Sequence, residues 1–356
     1  MILPPEAPTS WTGDHHRLHR LLRRHPGLLP AGEPLLLAVS GGQDSMALVG
    51  LLRALQPQHG WRLLLWHGDH GWRPDSAQQA RALAAWADGQ GLPLELQRWS
   101  NPQTNEAAAR HWRLAQLQRW ATEQGASRVV TGHTASDRAE TLLLQLARGS
   151  HRQGMGSLRW LRPLNATVQL ARPLLVFSRG ETAQIQQQLQ LPLWPDPSND
   201  DPCFSRNRIR AEVLPVLEAL YPGASRRLSG LSSRLADEQE AQRQLEELAL
   251  QALLSQPTDS PAGLRRRALM ALQPGNRRRL LRAWLEQQGS TELSATQLER
   301  LLERLEPQQG PGALQLPGGA RLDWDRESLH HSSGGGKQGE PPGVASRRTS
   351  LHEHQP

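Results

Sequence analysis

The chain has 356 residues, 41 of them lysine or arginine against 34 aspartate or glutamate, giving a formal net charge of +7 and an isoelectric point of about 10.9. One cysteine, Cys203, and one lysine, Lys337 in a Ser/Gly-rich tail, exclude an intrachain disulfide framework, a multi-thiolate metal centre and a Walker A or kinase-type lysine in the folded body. Mean hydropathy is −0.59 and no apolar run approaches the ~18 residues of a membrane span, so no membrane role is expected.

Two domains of about 100–200 residues suit this length better than one. The opening "MILPPEAPTSWTGDHH" has no basic segment followed by an apolar one, and cytoplasm is the expected compartment. Residues 14–25, "DHHRLHRLLRRH", predict a short basic amphipathic helix. Apolar runs at 35–39, 62–67, 92–99 and 127–133 read as buried strands. Helical spacing fills 45–56, 75–89 with Asp75 or Ser76 as N-cap, 105–124 and 137–148. Strands alternating with helices of this length imply right-handed crossovers and a parallel sheet covered on both faces, a doubly wound α/β domain.

A Gly/Arg loop from residue 151, a last strand in "VQLARPLL" and a helix at about 179–190 lead to a proline-rich passage, 191–202, that excludes regular structure. Helical patterns then occupy 206–220, 224–255, 262–273, 276–289 and 294–306, with Asn276 and Ser294 as N-caps. Residues 312–324 alternate around Pro-Gly-Gly and predict a hairpin. The implied division is 1–222, including the basic helix; a second, mainly helical domain, 223–330; and a tail, 331–356, expected to be disordered for want of an apolar face.

"SGGQDS", residues 40–45, stands directly between the first strand and its helix. Ligands of open α/β sheets bind outside the carboxyl ends of strands. Glycines there permit positive φ and remove the Cβ that would hold a phosphate away, while the helix N-terminus offers free amides to an anion. Ser40 and Ser45 add hydroxyls. Asp44 would repel phosphates unless a divalent cation intervened, so it predicts Mg²⁺. A plain Gly-rich turn with capping serines is the alternative.

This loop resembles the PP-loop of N-type ATP pyrophosphatases, a Rossmann-like class that splits ATP between the α and β phosphates and transfers AMP to an oxygen. Further stretches are similar to blocks of the tRNA(Ile)-lysidine synthetase family: "WHGDHGWRPDS" (66–76), "NEAAARHWR" (105–113), "TGHTASDRAETLLLQLARGS" (131–150), "RPLL" (172–175) and "DPSNDDPCFSRNRIR" (196–210). They occur in order over residues 35–215. Ser136 stands where that family usually has the first of two aspartates, Arg138 where it has glutamine, and Thr134 where it has histidine or asparagine. Asp137 and Glu140 are retained.

The resemblance implies that ATP adenylates O2 of the wobble cytidine of a CAU-anticodon isoleucine tRNA, and that free lysine then displaces AMP. Ser40, Gly41, Gly42, Gln43, Asp44 and Ser45 are assigned to ATP, Asp44 also to the metal, and His67, Asp69, His70, Arg73 and His133 to the neighbouring pocket. Lysine is protonated near neutral pH, with a reference pKa of ~10.4, so a proton acceptor is needed. Asp137 and Glu140, three apart on one helix face, are the candidates, Asp137 as base and Glu140 as ammonium anchor; an ordinary acidic first turn is the bland reading. Arg110, Arg113 and Arg148 are candidates for phosphate or lysine-carboxylate contacts. Arg206, Asn207 and Arg210 either reach the active site or form an exposed helix start.

In the second domain "LRRRALM" (264–270) and "NRRRLLRAWL" (276–285) read as a phosphate track for tRNA or as solvated helix faces. The partners expected are this tRNA and lysine, with a homodimer as the assembly to test. The competing readings are another PP-loop adenylating enzyme, for tRNA thiolation or ammonia-dependent NAD synthesis, and a tRNA-binding protein without catalysis. The lone Cys203 disfavours thiolation chemistry.

Overall fold

The computed structural model describes residues 11–72, 75–100, 105–150, 152–194, 203–254, 263–290 and 293–332. Arg73, most of the proline-rich passage (195–202) and the tail from 333, with Lys337, lie outside the described residues. The chain divides into two compact units, Met1–Gln239 and Glu240–Pro356. The division falls inside one long helix, Ala224–Leu253, whereas the sequence pattern puts it at 222/223.

The first unit begins with α1 (Gly13–Arg24) and alternates β1 (Pro34–Ala38), α2 (Gln43–His59), β2 (Arg62–Asp69), α3 (Ser76–Gly89), β3 (Leu94–Arg98), α4 (Glu106–Glu123), β4 (Arg128–Thr131) and α5 (Ala135–Ala147). After α6 (Arg152–Met155) come β5 (Leu161–Pro163), β6 (Gln169–Ala171) and α7 (Arg179–Gln188). The sheet order is β3-β2-β1-β4-β6-β5, parallel except for β5, which pairs antiparallel with β6 at the edge. The doubly wound α/β class is as the sequence implies; β5 is an edge strand that the sequence pattern does not show.

Alternation along β1 explains why helices cover both faces. Leu35 and Leu37 enter one core with Leu63 and Leu65, and Leu36 enters the other with Leu64. Every one of these leucines is almost fully buried. Successive crossovers run outward from β1 in opposite directions, to β2 on one side and β4 on the other. The crevice at the carboxyl ends of β1 and β4 is therefore the topological switch point, where such sheets bind ligands.

The segment read as one helix over 206–220 is helical throughout, as α8 (Ser205–Arg208), a π-helical turn (Ile209–Val213) and α9 (Leu214–Leu220) in direct succession. Pro215 accounts for the wider turn: it has no amide hydrogen, and its ring would clash with the carbonyl four residues back. The helix α10 (Ala224–Leu253) follows.

In the second unit a short strand β7 (Leu264–Arg265) and helix α11 (Arg266–Met270) replace the helix expected over 262–273. Next come α12 (Pro274–Gln287), α13 (Ala295–Arg304), β8 (Gly312–Gln315), β9 (Arg321–Trp324) and β10 (Ser328–Ser332). Helix α12 starts earlier than expected: Gln273 is its N-cap and Pro274 its first residue, not Asn276 the cap. Ser294 caps α13 as the sequence indicates, its Oγ accepting from the Gln297 amide at 3.3 Å. The hairpin exists, but it belongs to an antiparallel four-stranded sheet, β7-β10-β9-β8, whose strand β10 runs to Ser332, past the boundary drawn at 330. Its core is built from Leu264, Leu281, Trp284, Leu301, Leu322 and Leu329.

Candidate active site

Residues Ser40–Ser45 form the turn from β1 into α2. Gly41 has φ +83°, a conformation that L side chains rarely adopt, and Gly42 is the N-cap. The turn is locked from within. Ser45 Oγ donates to the Gly42 carbonyl at 2.8 Å and accepts the Ser40 amide at 3.2 Å, and the Gly42 amide reaches Ser40 Oγ at 3.3 Å. From outside, the Trp194 amide donates to the Gly41 carbonyl at 3.0 Å, and a Cβ on Gly41 would meet the Trp194 ring at 3.3 Å. Beneath the loop, His67 Nδ1 bonds the Val39 carbonyl at 2.8 Å. Burial lowers the His67 pKa, so the ring is neutral and, as the Nδ1–H tautomer, donates that bond.

Asp44 lies in the first turn of α2. The Thr182 hydroxyl donates to one carboxylate oxygen, and Arg179 Nη1 stands 3.4 Å from the other. Burial first, and then the negative charge of Asp137, push the Asp44 pKa above the usual carboxylate value; Thr182, Arg179 and Gln43 offset this only in part. Asp44 and Asp137 thus share one electrostatic site although 93 positions separate them. Gln43 is turned to architecture, donating through Nε2 to the Arg179 carbonyl at 2.8 Å.

Across the crevice, Thr134 caps α5. Asp137 completes a capping box by accepting the Thr134 amide at 2.7 Å and its hydroxyl at 2.9 Å. The other Asp137 oxygen receives Arg206 Nη2 at 3.0 Å and Arg210 Nη2 at 3.4 Å. Glu140, with 0% of its surface exposed, accepts Arg206 Nε at 2.8 Å and Arg210 Nε and Nη2 at 2.7 and 3.0 Å. Arg206 and Arg210 are four apart, so one helical face carries both guanidiniums onto the pair. Of the two readings the sequence left open, the geometry fits the one in which Arg206 and Arg210 reach the Asp137–Glu140 pair rather than an exposed helix start.

Burial pushes Asp137 up, but His133, Arg206, the Thr134 amide and Arg210 outweigh it and hold the carboxyl below its ordinary value. His133 goes the other way. Burial, only partly opposed by Asp137, drives its pKa far down, and Arg172, Arg206 and Arg113 add to the shift. His133 is therefore neutral, its Nδ1 paired with Thr131 Oγ1 at 2.8 Å. A neutral ring at this place can orient a ligand.

The departures from the family pattern have local explanations. Ser136 Oγ accepts the Arg179 amide at 3.1 Å and so ties α5 to α7. Arg138, almost fully buried, donates through Nε and Nη2 to the Leu158 carbonyl at 3.0 and 2.8 Å and lies over the Trp160 ring. Leu158 has φ +54°, and Arg138 pins that strained residue. Neither side chain replaces Asp137 or Glu140 at the site.

Other predicted residues are placed less centrally. Asp69 accepts the Gly71 amide at 2.8 Å, closing the turn after β2, with Arg98 Nε 3.7 Å away. His70 stacks against Trp72. Arg110 and Arg113 are exposed on α4, with Arg113 close enough to act on His133. Asn207 is half-buried in α8 and Arg148 caps the end of α5. Sequence reasoning missed Arg179, Thr182 and Trp194. The only signal for the first two was "SRGET", a capping box at the start of α7, which marks a helix and not a function.

Known proteins bear on this geometry. The PP-loop domain family matches residues 14–217, and the TilS substrate binding domain family matches residues 264–330. A tRNA(Ile)-lysidine synthase of Parasynechococcus marenigrum (strain WH8102) is 54% identical over 325 residues, 90% of this chain and 95% of that protein. The chain belongs to the tRNA(Ile)-lysidine synthase family. Another member, from Synechococcus sp. (strain ATCC 27144 / PCC 6301 / SAUG 1402/1), is 47% identical over 86% of this chain and 93% of its own length. Among solved structures, a U34-tRNA thiolase from Methanococcus maripaludis with its [4Fe-4S] cluster superposes with a TM-score of 0.53, covering 62% of this chain and 78% of that one. At 18% identity it shares with this family member the fold alone. No helix among the described residues is long and apolar enough to cross a membrane.

Proposed function

We propose that this protein is an ATP-dependent ligase that converts the wobble cytidine of a CAU-anticodon isoleucine tRNA to lysidine, using free lysine and releasing AMP and pyrophosphate. The observation that carries the reading is the meeting of the Ser40–Ser45 loop and the Asp137–Glu140 pair at one switch point, close enough for Asp137 to perturb Asp44. Main-chain amides at the start of α2 face the phosphates, and the glycines leave them room.

The residues fit magnesium. Asp44 carries a half-buried carboxylate whose ionised form is destabilised by burial and by the charge of Asp137, so a cation beside it would be stabilised. That is the donor set expected of an ion bound through one or two carboxylates and substrate phosphates. Asp44 would hold it, and when bound it neutralises phosphate charge.

In the second step Asp137 and Glu140 receive the lysine ammonium through the acceptor sites that Arg206 and Arg210 leave open, with the arginines staying in place. Glu140 anchors it. Asp137, ionised throughout the neutral range, takes one proton from the ammonium, freeing the lone pair that bonds to C2 as the C2–O bond breaks and AMP leaves with its electrons. Arg113, near His133, is placed to meet the lysine carboxylate, and Arg110 on the same helix tRNA phosphate. The protein acts in the cytoplasm, and light scattering of the purified chain tests the homodimer.

The deciding experiment is pyrophosphate release from ATP and Mg²⁺ with an isoleucine tRNA transcript bearing CAU and lysine. Lysidine should form only with the wobble cytidine and lysine both present; release with deamido-NAD and ammonia instead would replace this reading with the NAD-synthetase one. Asp137→Asn should lower lysidine formation about 100-fold or more, the scale of a lost general base, with ATP affinity changed only a few-fold.

A further inference from the structure

The geometry points to Arg179 as a phosphate-binding residue that leaves Asp44 for the β and γ phosphates of ATP and then holds the departing pyrophosphate. This deepens the proposed activity and rests on its ATP site, but not on the identity of the tRNA.

Three observations carry it. The first is position: Arg179 Nη1 lies 3.4 Å from Asp44 Oδ2, so the guanidinium stands at the mouth of the α2 N-terminus, on the side where an anion would be drawn. The second is contrast in coordination. Arg206 and Arg210 together make five hydrogen bonds to Asp137 and Glu140, whereas among the described residues the Arg179 guanidinium makes one long one. Its side chain is 37% exposed, and only one of its five N–H donors pairs with a described residue.

The third is a fixed base beneath a movable head. The Arg179 amide is held by Ser136 Oγ at 3.1 Å, and its carbonyl accepts Gln43 Nε2 at 2.8 Å and lies 2.9 Å from Thr182 Oγ1. The same Thr182 hydroxyl contacts Asp44. One backbone unit is therefore bolted to α5, α2 and the carboxylate, while the guanidinium is free to turn by its own torsions. In the absence of nucleotide it supplies the positive charge that Asp44 lacks; once the phosphates and their cation arrive, that contact becomes redundant and a bidentate phosphate contact is better.

In the transfer step the bond from the α phosphorus to the bridging oxygen breaks as the cytidine O2 bonds to phosphorus. The electron pair goes to the bridging oxygen, which departs as pyrophosphate. Arg179 stabilises that growing charge.

The test needs no tRNA. Binding of inorganic pyrophosphate and of AMP is measured by calorimetry on wild type, Arg179→Ala, Arg179→Lys and Arg179→Gln. Pyrophosphate binding should weaken roughly 10- to 100-fold in the alanine and glutamine variants, the scale of one lost charge-assisted hydrogen bond, and recover in part in the lysine variant. AMP binding should stay within about twofold. Unchanged pyrophosphate binding in Arg179→Gln, or equal weakening of AMP, would overturn the proposal. If wild type binds pyrophosphate as described yet makes no lysidine, the proposed tRNA reaction fails and this inference stands.

Discussion

The two walls of the crevice are built on different principles. The phosphate wall is six consecutive residues, Ser40–Ser45, whose shape comes from a glycine at φ +83° and hydrogen bonds spanning no more than five positions, with the Trp194 amide on the Gly41 carbonyl as a tie from outside. The acid wall is four side chains, Asp137, Glu140, Arg206 and Arg210, joined across 66 to 73 positions of sequence. One is a main-chain shape that cannot adapt. The other is a balance of buried charges that holds only while every member is present.

The largest effect should come from filling the space where the walls approach each other. A Cβ on Gly132 would lie 2.9 Å from the Asp44 carbonyl carbon and 3.0 Å from the Ser45 amide nitrogen, both backbone atoms that cannot swing aside. Gly132→Ala should lower ATP-dependent pyrophosphate release more than 100-fold and destabilise the fold by about 1–3 kcal/mol, the range for overpacking. Denaturant unfolding and the release assay read the two quantities. Near-normal activity would mean that the phosphate wall is more compliant than described.

Breaking the acid wall should appear in stability first. Arg210→Ala leaves Glu140 fully buried with half its partners gone. Removing one member of a buried pair costs about 3–5 kcal/mol, and since Arg210 is a fifth exposed we expect about 2–3 kcal/mol. Adding Glu140→Gln to Arg210→Ala should recover part of that loss, because the stranded charge goes with it. If the double variant is no more stable than the single one, the charges are not the cause.

The two aspartates should also respond to pH with opposite sign. Asp137 is held below its ordinary value, so its contribution to stability is present above the unfolded-state pKa and is lost as pH falls through the lower folded one. Asp44 is raised, so its ionised form costs stability at neutral pH, and the cost fades as pH falls through the raised value toward the ordinary one. Asp44→Asn should therefore melt slightly higher than wild type at pH 7 while losing ATP turnover, and the gap should close in acid. A variant that melts lower at pH 7 would contradict the assignment.

The contrast also explains what was legible beforehand. Alternating strands and helices, and the phosphate loop, are local patterns, and both were readable from the chain. Asp137 and Glu140 were readable only through family resemblance, since two acids in a first helical turn are commonplace. Nothing local told that Arg206 and Arg210 close onto them, or that Arg179 and Thr182 hold Asp44, because each contact depends on where α7 and α8 lie in space. Pro215 marked the place of the π-helical turn but not its form, and the edge strand β5 was invisible because three residues carry too little periodicity.

The smallest effect concerns the second unit, where the sequence suggested arginine tracks. Arg266 is no part of one: it is buried and donates to the carbonyls of Leu305, Glu306, Gln309 and Asp325. Arg277, Arg278 and Arg279 each pair with a glutamate, Glu306, Glu299 and Glu246. Arg278 and Glu299 are both half exposed, so the pair should contribute well under about 1 kcal/mol, and Arg278→Ala should barely move the melting curve. If α12 touches tRNA phosphate, the same variant should weaken tRNA binding modestly and reduce the slope of log affinity against log salt by about one. An unchanged slope would make α12 a solvated helix and move the RNA contact elsewhere in the unit, because neutralised glutamate pairs release no counterions.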